Sequence, residues 1–293
     1  MPACGLAFTF TLTLTLTLTA ANPARSEPAL GLQVDSILAL AAPRFVRPVA
    51  VAVGPLGRLF VADAGQGSVV RLDVHGSIRY EFEPPPGQAR LQPLDLEVTG
   101  FQVYVLDALA RALLRYSDQG AFLDVLQSFG TAEMPRALAV DATGRVVLAV
   151  TARHQVRVLD ESQRDETVIG GFGSRPGEFV RPSGVACAAR GAIWVADSGN
   201  ARLQRFAAVG NFEFASRDSL RAPRGIAVGA ADEVFVADPQ GHAVHLLAPS
   251  GAHRFVLPLE PATPLDVAAH GDTLWVLCAE PNTLVRVRVQ RGD

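Results

Sequence analysis

The sequence predicts an all-β chain folded as a six-bladed β-propeller, each blade a sheet of four antiparallel strands. A proline opens an apolar segment six times, at Pro48, Pro93, Pro135, Pro182, Pro223 and Pro264, at intervals of 41 to 47 residues. Each is followed by a second strand-like segment: RLFVAD, QVYVLD, VVLAV, AIWVAD, EVFVAD and TLWVLC. No helical periodicity interrupts the pattern. A repeat of about 40–45 residues made of four short strands is the sequence mark of a propeller blade.

Taken in order, the chain begins with a charge-free apolar run from Ala3 to Ala21, followed by small residues and a polar, Pro-containing stretch. This predicts a signal peptide over residues 1–24, cleaved after Ala21 or Ala24, and a periplasmic or secreted mature protein. The run is too short and too Thr-rich to span a membrane, so no stable insertion is expected once it is cleaved. The mature chain, residues 29–290, is then one domain.

Seven or eight residues after each second strand comes a basic residue in a third strand: Arg71, Arg115, Arg157, Arg205, His245 and Arg286. Their stems are expected to pack between blades, with the heads paired to carboxylates. Fourth strands follow in five units (IRYEFE, AFLDVL, ETVIGG, NFEFAS, HRFVLP), but the sixth runs out of chain. The alternating segment Leu32–Leu40 is predicted to supply it, pairing with Leu284–Val289 and closing the ring. Closure removes the open strand edges that invite aggregation. The acids ending four second strands, Asp63, Asp107, Asp197 and Asp238, read as caps of the turns that follow. In the fourth unit, Gly199 and Asn200 are expected to provide the left-handed backbone of that turn.

The fourth unit, RPSGVACAARGAIWVADSGNARLQRF, resembles the NHL repeat, and the likeness extends over about residues 32–290. The chain is thereby similar to bacterial exported NHL-type propellers. The resemblance implies a fold rather than an activity, because such propellers include RNA-binding platforms, protein-docking modules, extracellular sensor domains, lyases and lactonases. The lyases carry metal-binding channel histidines and the lactonases a channel set of Glu, Asn and Asp. This chain has neither, since no first strand contains Asn and most histidines fall elsewhere.

Composition narrows the partner. The net charge is −3, all 26 basic residues are arginine, and no block of like charge occurs, which argues against nucleic acid. Cys187 and Cys278 are separated by a whole blade, too far for a disulfide. First strands should line the central channel, where small residues are expected. Asp95, Glu97 and Asp266 break that rule. They are either a site for a divalent cation on the channel axis or acceptors for neighbouring backbone amides. Arg136, Ser183 and Arg224 follow three of the prolines, and the nearby loops add Arg111, Arg153, His154 and His242. Together these form a candidate rim for an anionic ligand. The reading that follows is a monomeric module binding a protein, peptide or glycan at the channel mouth, with no cofactor. The alternative is a metal-dependent lyase or lactonase of the same fold.

Overall fold

The proline-led segments become the innermost strands of six sheets. In chain order these are Pro48–Gly54, Pro93–Thr99, Ala137–Val140, Pro182–Cys187, Ile226–Val228 and Thr263–His270. The computed structural model describes residues 30–40, 44–73, 75–160, 162, 165–216 and 219–291. The expected signal peptide lies outside them. Blades one to five are four-stranded antiparallel meanders running outward in chain order. Blade six comprises Thr263–His270, Thr273–Ala279 and Thr283–Arg291, with Leu30–Ala39 as its outer strand. Leu32 pairs with Val289 and Leu38 with Leu284, across a bulge between Val34 and Ser36. The ring is therefore closed by the N-terminal strand, as the missing sixth outer strand predicts.

Alternation along each strand sends side chains to opposite faces, and every blade face meets its neighbour. The described core accordingly divides into six apolar clusters, one at each seam between adjacent blades. In blade three, Leu138 packs toward blade two, while Ala137 and Ala139 pack toward blade four. Polar ties reinforce the seams. Arg145 of blade three donates to the Ala208 carbonyl (2.5 Å) and the Gly191 carbonyl (2.7 Å) of blade four. Arg71 of blade one reaches Asp118 of blade two at 3.2 Å.

The basic residues of the third strands fall into two registers. Arg71, Arg115, Arg205 and Arg286 stand opposite Phe60, Tyr104, Trp194 and Trp275, and each is paired with an acid (Asp118, Asp124, Glu213 and Asp35). Arg157 and His245 lie opposite Leu148 and Val236 instead, one position nearer the turn. A one-residue offset puts a side chain on the other face of a strand. His245 is consequently not an arginine equivalent but takes the place of Gln204. Gln204 donates to Asp197 at 3.1 Å, whereas His245 Nε2 lies 3.7 Å from Asp238. The other ring nitrogen of His245 is 3.1 Å from His253 Nε2.

The acids ending the second strands hold more than a turn. Asp63 accepts the amides of Gly65 and Gln66 after it, and also those of Val46 and Arg47, which lead into its own blade's first strand. Asp107 does the same with Ala110 and Gln92, and Asp238 with Gly241, Arg221 and Ala222. Asp197 accepts the Val180 amide (2.7 Å), Asn200 Nδ2 (2.8 Å) and the buried Arg202 guanidinium (2.7 Å). The turn after Asp197 differs from expectation in one respect. Its left-handed residue is Ala201, at φ 51°. Gly199 is needed for space instead, because a Cβ there would sit 2.5 Å from the Val180 carbonyl oxygen.

Asp197→Ala would leave the Arg202 charge, 1% exposed, without its carboxylate. Orphaning a buried charge costs about 3–5 kcal/mol. The expected outcome in thermal unfolding is a midpoint lower by about 10 °C, with a smaller loss for Asp197→Asn. A loss within a degree would remove this pair from the set of interactions that hold the blade.

Candidate binding mouth and channel

The second position after each proline (Ala50, Asp95, Ala137, Gly184, Gly225 and Asp266) faces the innermost strand of the next blade. Six sheets converge here, and the convergence is tight. A Cβ at Gly184 would lie 1.9 Å from the Arg224 carbonyl oxygen. The two aspartates fit because they bond across seams. Asp95 Oδ2 accepts the Leu138 amide of blade three (2.7 Å), and Asp266 Oδ2 accepts the Val51 amide of blade one (2.9 Å). Among the described residues Glu97 accepts the adjacent Val98 amide alone (3.0 Å). The expectation that these acids serve neighbouring amides describes what their oxygens do.

All three carboxyls face the narrow channel and are otherwise enclosed by the strands, so their ionised forms are poorly solvated. Burial, followed by the nearby Asp266 carboxylate, raises Asp95 well above the usual carboxylate range. Burial pushes Glu97 up to about 7. It pushes Asp266 up to about 6, against the lowering pull of the Val51 and Val267 amides and of Arg224. The neck encloses about 50 Å³. On one side it continues to a space of about 130 Å³ walled by Ala52, Ala139, Ala186 and Cys187. Burial lifts the Cys187 thiol to about 12, and both Cys187 and Cys278 are free. Among the described residues no three His, Cys, Asp or Glu side chains are grouped so as to hold a metal ion.

On the other side the neck opens into a mouth of about 930 Å³. Arg136, Ser183, Arg224 and His154, all expected at the rim, line it. So do Arg47 and Arg181, the residues immediately before Pro48 and Pro182, which the sequence reading passed over. None of the four arginines has an ion-pair partner among the described residues, and Glu280 is the one acid on the mouth wall. His154 is held in place, its Nδ1 accepting the Arg181 amide (3.0 Å), which leaves the proton of the neutral ring on Nε2. The Ser183 hydroxyl donates to the Pro223 carbonyl at 2.8 Å.

Arg111, Arg153 and His242 do not line the mouth. Arg111, His154 and His242 occupy the same left-handed position of their blades' turns, at φ 52°, 57° and 48°. From there each reaches the loop that enters the next blade. Arg111 bonds Thr131 (3.2 Å) and His242 lies 3.4 Å from the Ala262 carbonyl, just as His154 takes the Arg181 amide. Arg153 pairs with Glu133 at 3.1 Å.

These features define a six-bladed β-propeller with a basic mouth above an acidic neck. The chain carries an NHL repeat: the family model matches residues 179–206, the unit that contains Asp197. No curated protein sequence matches the chain. Several solved structures share its shape. Virginiamycin B lyase from Staphylococcus aureus, crystallised in a catalytically inactive form with quinupristin, superposes with a TM-score of 0.65 at 14% identity, covering 88% of this chain and 99% of its own. A putative gluconolactonase superposes with a TM-score of 0.68 at 15% identity, over 87% of this chain and 92% of its own. A chain of the nidogen/laminin complex does so with 0.64 at 18%, over 78% and 88%. At such identities the likeness is one of fold alone, and the three neighbours differ in what they do.

Protonation of Glu97 carries a signature in stability. A glutamate at 4.5 when unfolded and about 7 when folded stabilises the native state fully below 4.5, and that contribution is lost as pH rises through 7. Glu97→Gln is therefore expected to match the parent near about pH 5 and to exceed it near about pH 8 by about 1–2 kcal/mol, allowing for channel water. Urea unfolding at the two pH values measures the difference. Equal gains at both would show that Glu97 titrates as it does in the unfolded chain.

Proposed function

We propose that this is an exported, monomeric propeller that works by binding, and that its mouth takes a carboxylate-bearing protein, peptide or glycan. One observation carries the reading: Arg47, Arg136, Arg181 and Arg224 converge on a single concavity without ion-pair partners among the described residues. A guanidinium presents a planar fork of donors that matches a carboxylate in two parallel hydrogen bonds. Free guanidiniums gathered around a mouth are poised for such a ligand rather than for folding. The acids below offset them only in part, because burial raises Glu97 to about 7 and Asp266 to about 6 and so withholds part of their charge. Export is supported by the apolar run from Ala3 to Ala21 and the small residues after it.

Polyglutamate, polygalacturonate and polylysine are suitable probes for calorimetry on the mature protein. One of the two polyanions is expected to bind and polylysine is not. Arg136→Ala with Arg224→Ala should weaken that binding by about tenfold or more, consistent with the loss of two charge-assisted contacts. Unchanged affinity in the double variant would sink the reading.

The pH dependence has a definite sign. As pH falls from about 8 toward 6, Glu97 and then Asp266 take up protons, the potential at the mouth rises and polyanion binding tightens. Affinity that falls over the same interval would contradict it. The enzyme alternative has its own check, since a bound ion stabilises the native state by mass action. Calcium or magnesium is expected to leave the unfolding midpoint unchanged. A rise abolished by Asp95→Asn would instead favour the metal-dependent lyase or lactonase.

A further inference from the structure

We infer that the ligand of this mouth is an acidic peptide that also presents an apolar side chain, and that Phe172 receives that side chain. The inference rests on the anion-binding reading above and adds the second half of the recognition. Phe172 is 75% exposed, more than any other aromatic among the described residues. Single exposed apolar residues are ordinary on protein surfaces. This one differs in where it stands and in how it is held.

The Phe172 ring lies edge-on to His154, with centroids 5.0 Å apart, and His154 is part of the mouth wall beside Arg181. The chain beneath the ring is fixed. The Phe179 amide donates to the Gly171 carbonyl (2.8 Å) and the Gly173 amide to the Phe179 carbonyl (3.1 Å), so the segment is pinned on both sides of Phe172. Asn200 Nδ2 donates to the Gly173 carbonyl (2.9 Å), tying the segment to the turn of blade four. Phe179, by contrast, is fully buried in the seam between blades three and four. An aromatic displayed on a preorganised support loses little entropy on binding, and aromatic residues are enriched at the cores of protein interfaces.

The polar chemistry of the wall favours a peptide over a glycan. A glycan presents many hydroxyls and needs a mixture of free donors and acceptors. Here the wall hydroxyls are already engaged, Thr151 with the Pro182 carbonyl (2.7 Å) and Ser183 with the Pro223 carbonyl. Beside the wall's one acid, Glu280, the groups left to meet a ligand are the guanidiniums and, next to His154, the Phe172 ring. Those two groups answer carboxylates and an apolar side chain, which an acidic peptide offers on one strand.

The test uses two synthetic peptides of glutamate and glycine that differ only in one central residue, phenylalanine or alanine. Their affinities for the mature protein and for Phe172→Ala are measured by fluorescence anisotropy. The expected result is that the phenylalanine peptide binds the parent about five- to tenfold more tightly than the alanine peptide. Phe172→Ala should abolish the preference and leave the alanine peptide's affinity unchanged. Equal binding of both peptides by the parent, or a preference that survives Phe172→Ala, would overturn the role of Phe172 while leaving the arginine mouth intact. Binding of polygalacturonate with no binding of either peptide would overturn the peptide assignment alone. No binding of any polyanion or acidic peptide would overturn the anion-binding reading, and this inference with it.

Discussion

A buried carboxylate at the end of the second strand is the interaction on which the rest of this propeller depends. In four of the six blades an aspartate with no more than 1% of its surface exposed sits between two pieces of chain that would otherwise be independent. One is the turn that follows it. The other is the loop that enters the same blade's innermost strand. Placing an ion there is tolerable only because several donors converge on it, so each donor becomes hard to remove. The geometry of the mouth follows directly. Asp63 fixes the amide of Arg47, Asp197 that of Val180 beside Arg181, and Asp238 those of Arg221 and Ala222 just before Arg224. Three of the four mouth arginines, all but Arg136 of blade three, are thus projected from backbone held by buried charge. Blades three and six have Val150 and Cys278 at the equivalent position and lack this clamp.

The channel shows the opposite economy. Where six strands converge there is room for glycine and alanine, and at the second position after the proline the acids enter by bonding the backbone of the next blade. Asp95 and Asp266 do so in the same sense around the ring, each reaching forward to its successor. Glu97 has no such cross-seam bond, so its ionisation is governed mainly by the channel environment. Mouth and neck therefore divide the labour: permanent positive charge outside, titratable negative charge inside, a few residues apart along the same strands.

Much of this was legible in the sequence because it recurs. Proline spacing disclosed the blades, and the absent sixth outer strand disclosed the closure. The buried aspartates announced themselves by repetition, although only half of their bonding was anticipated. What the sequence hid was set by single-residue offsets or by loops. His245 and Arg157 sit one position earlier than the arginines of the other blades, and that offset alone moves them to the other face. Ala201 carries a left-handed backbone that composition assigns to its glycine and asparagine neighbours. Arg47 and Arg181 were visible beside their prolines but belonged to the segment between repeat units, where no periodicity singles out a residue. Of the seven rim candidates, the four on the mouth wall and the three tied to neighbouring loops are alike in type.

Closing blade six with Leu30–Ala39 also orders events in time. This strand is the first of the described strands to be made, yet its partner, Thr283–Arg291, is the last. Until synthesis is nearly complete the strand has nowhere to pair, and blades one to five stand as an open arc with an apolar sheet face bare at each end. Transiently exposed apolar surface attracts other chains. The charged Asp35, which faces Arg286 and Arg288 once the ring is shut, gives the waiting strand a reason to stay in water until then.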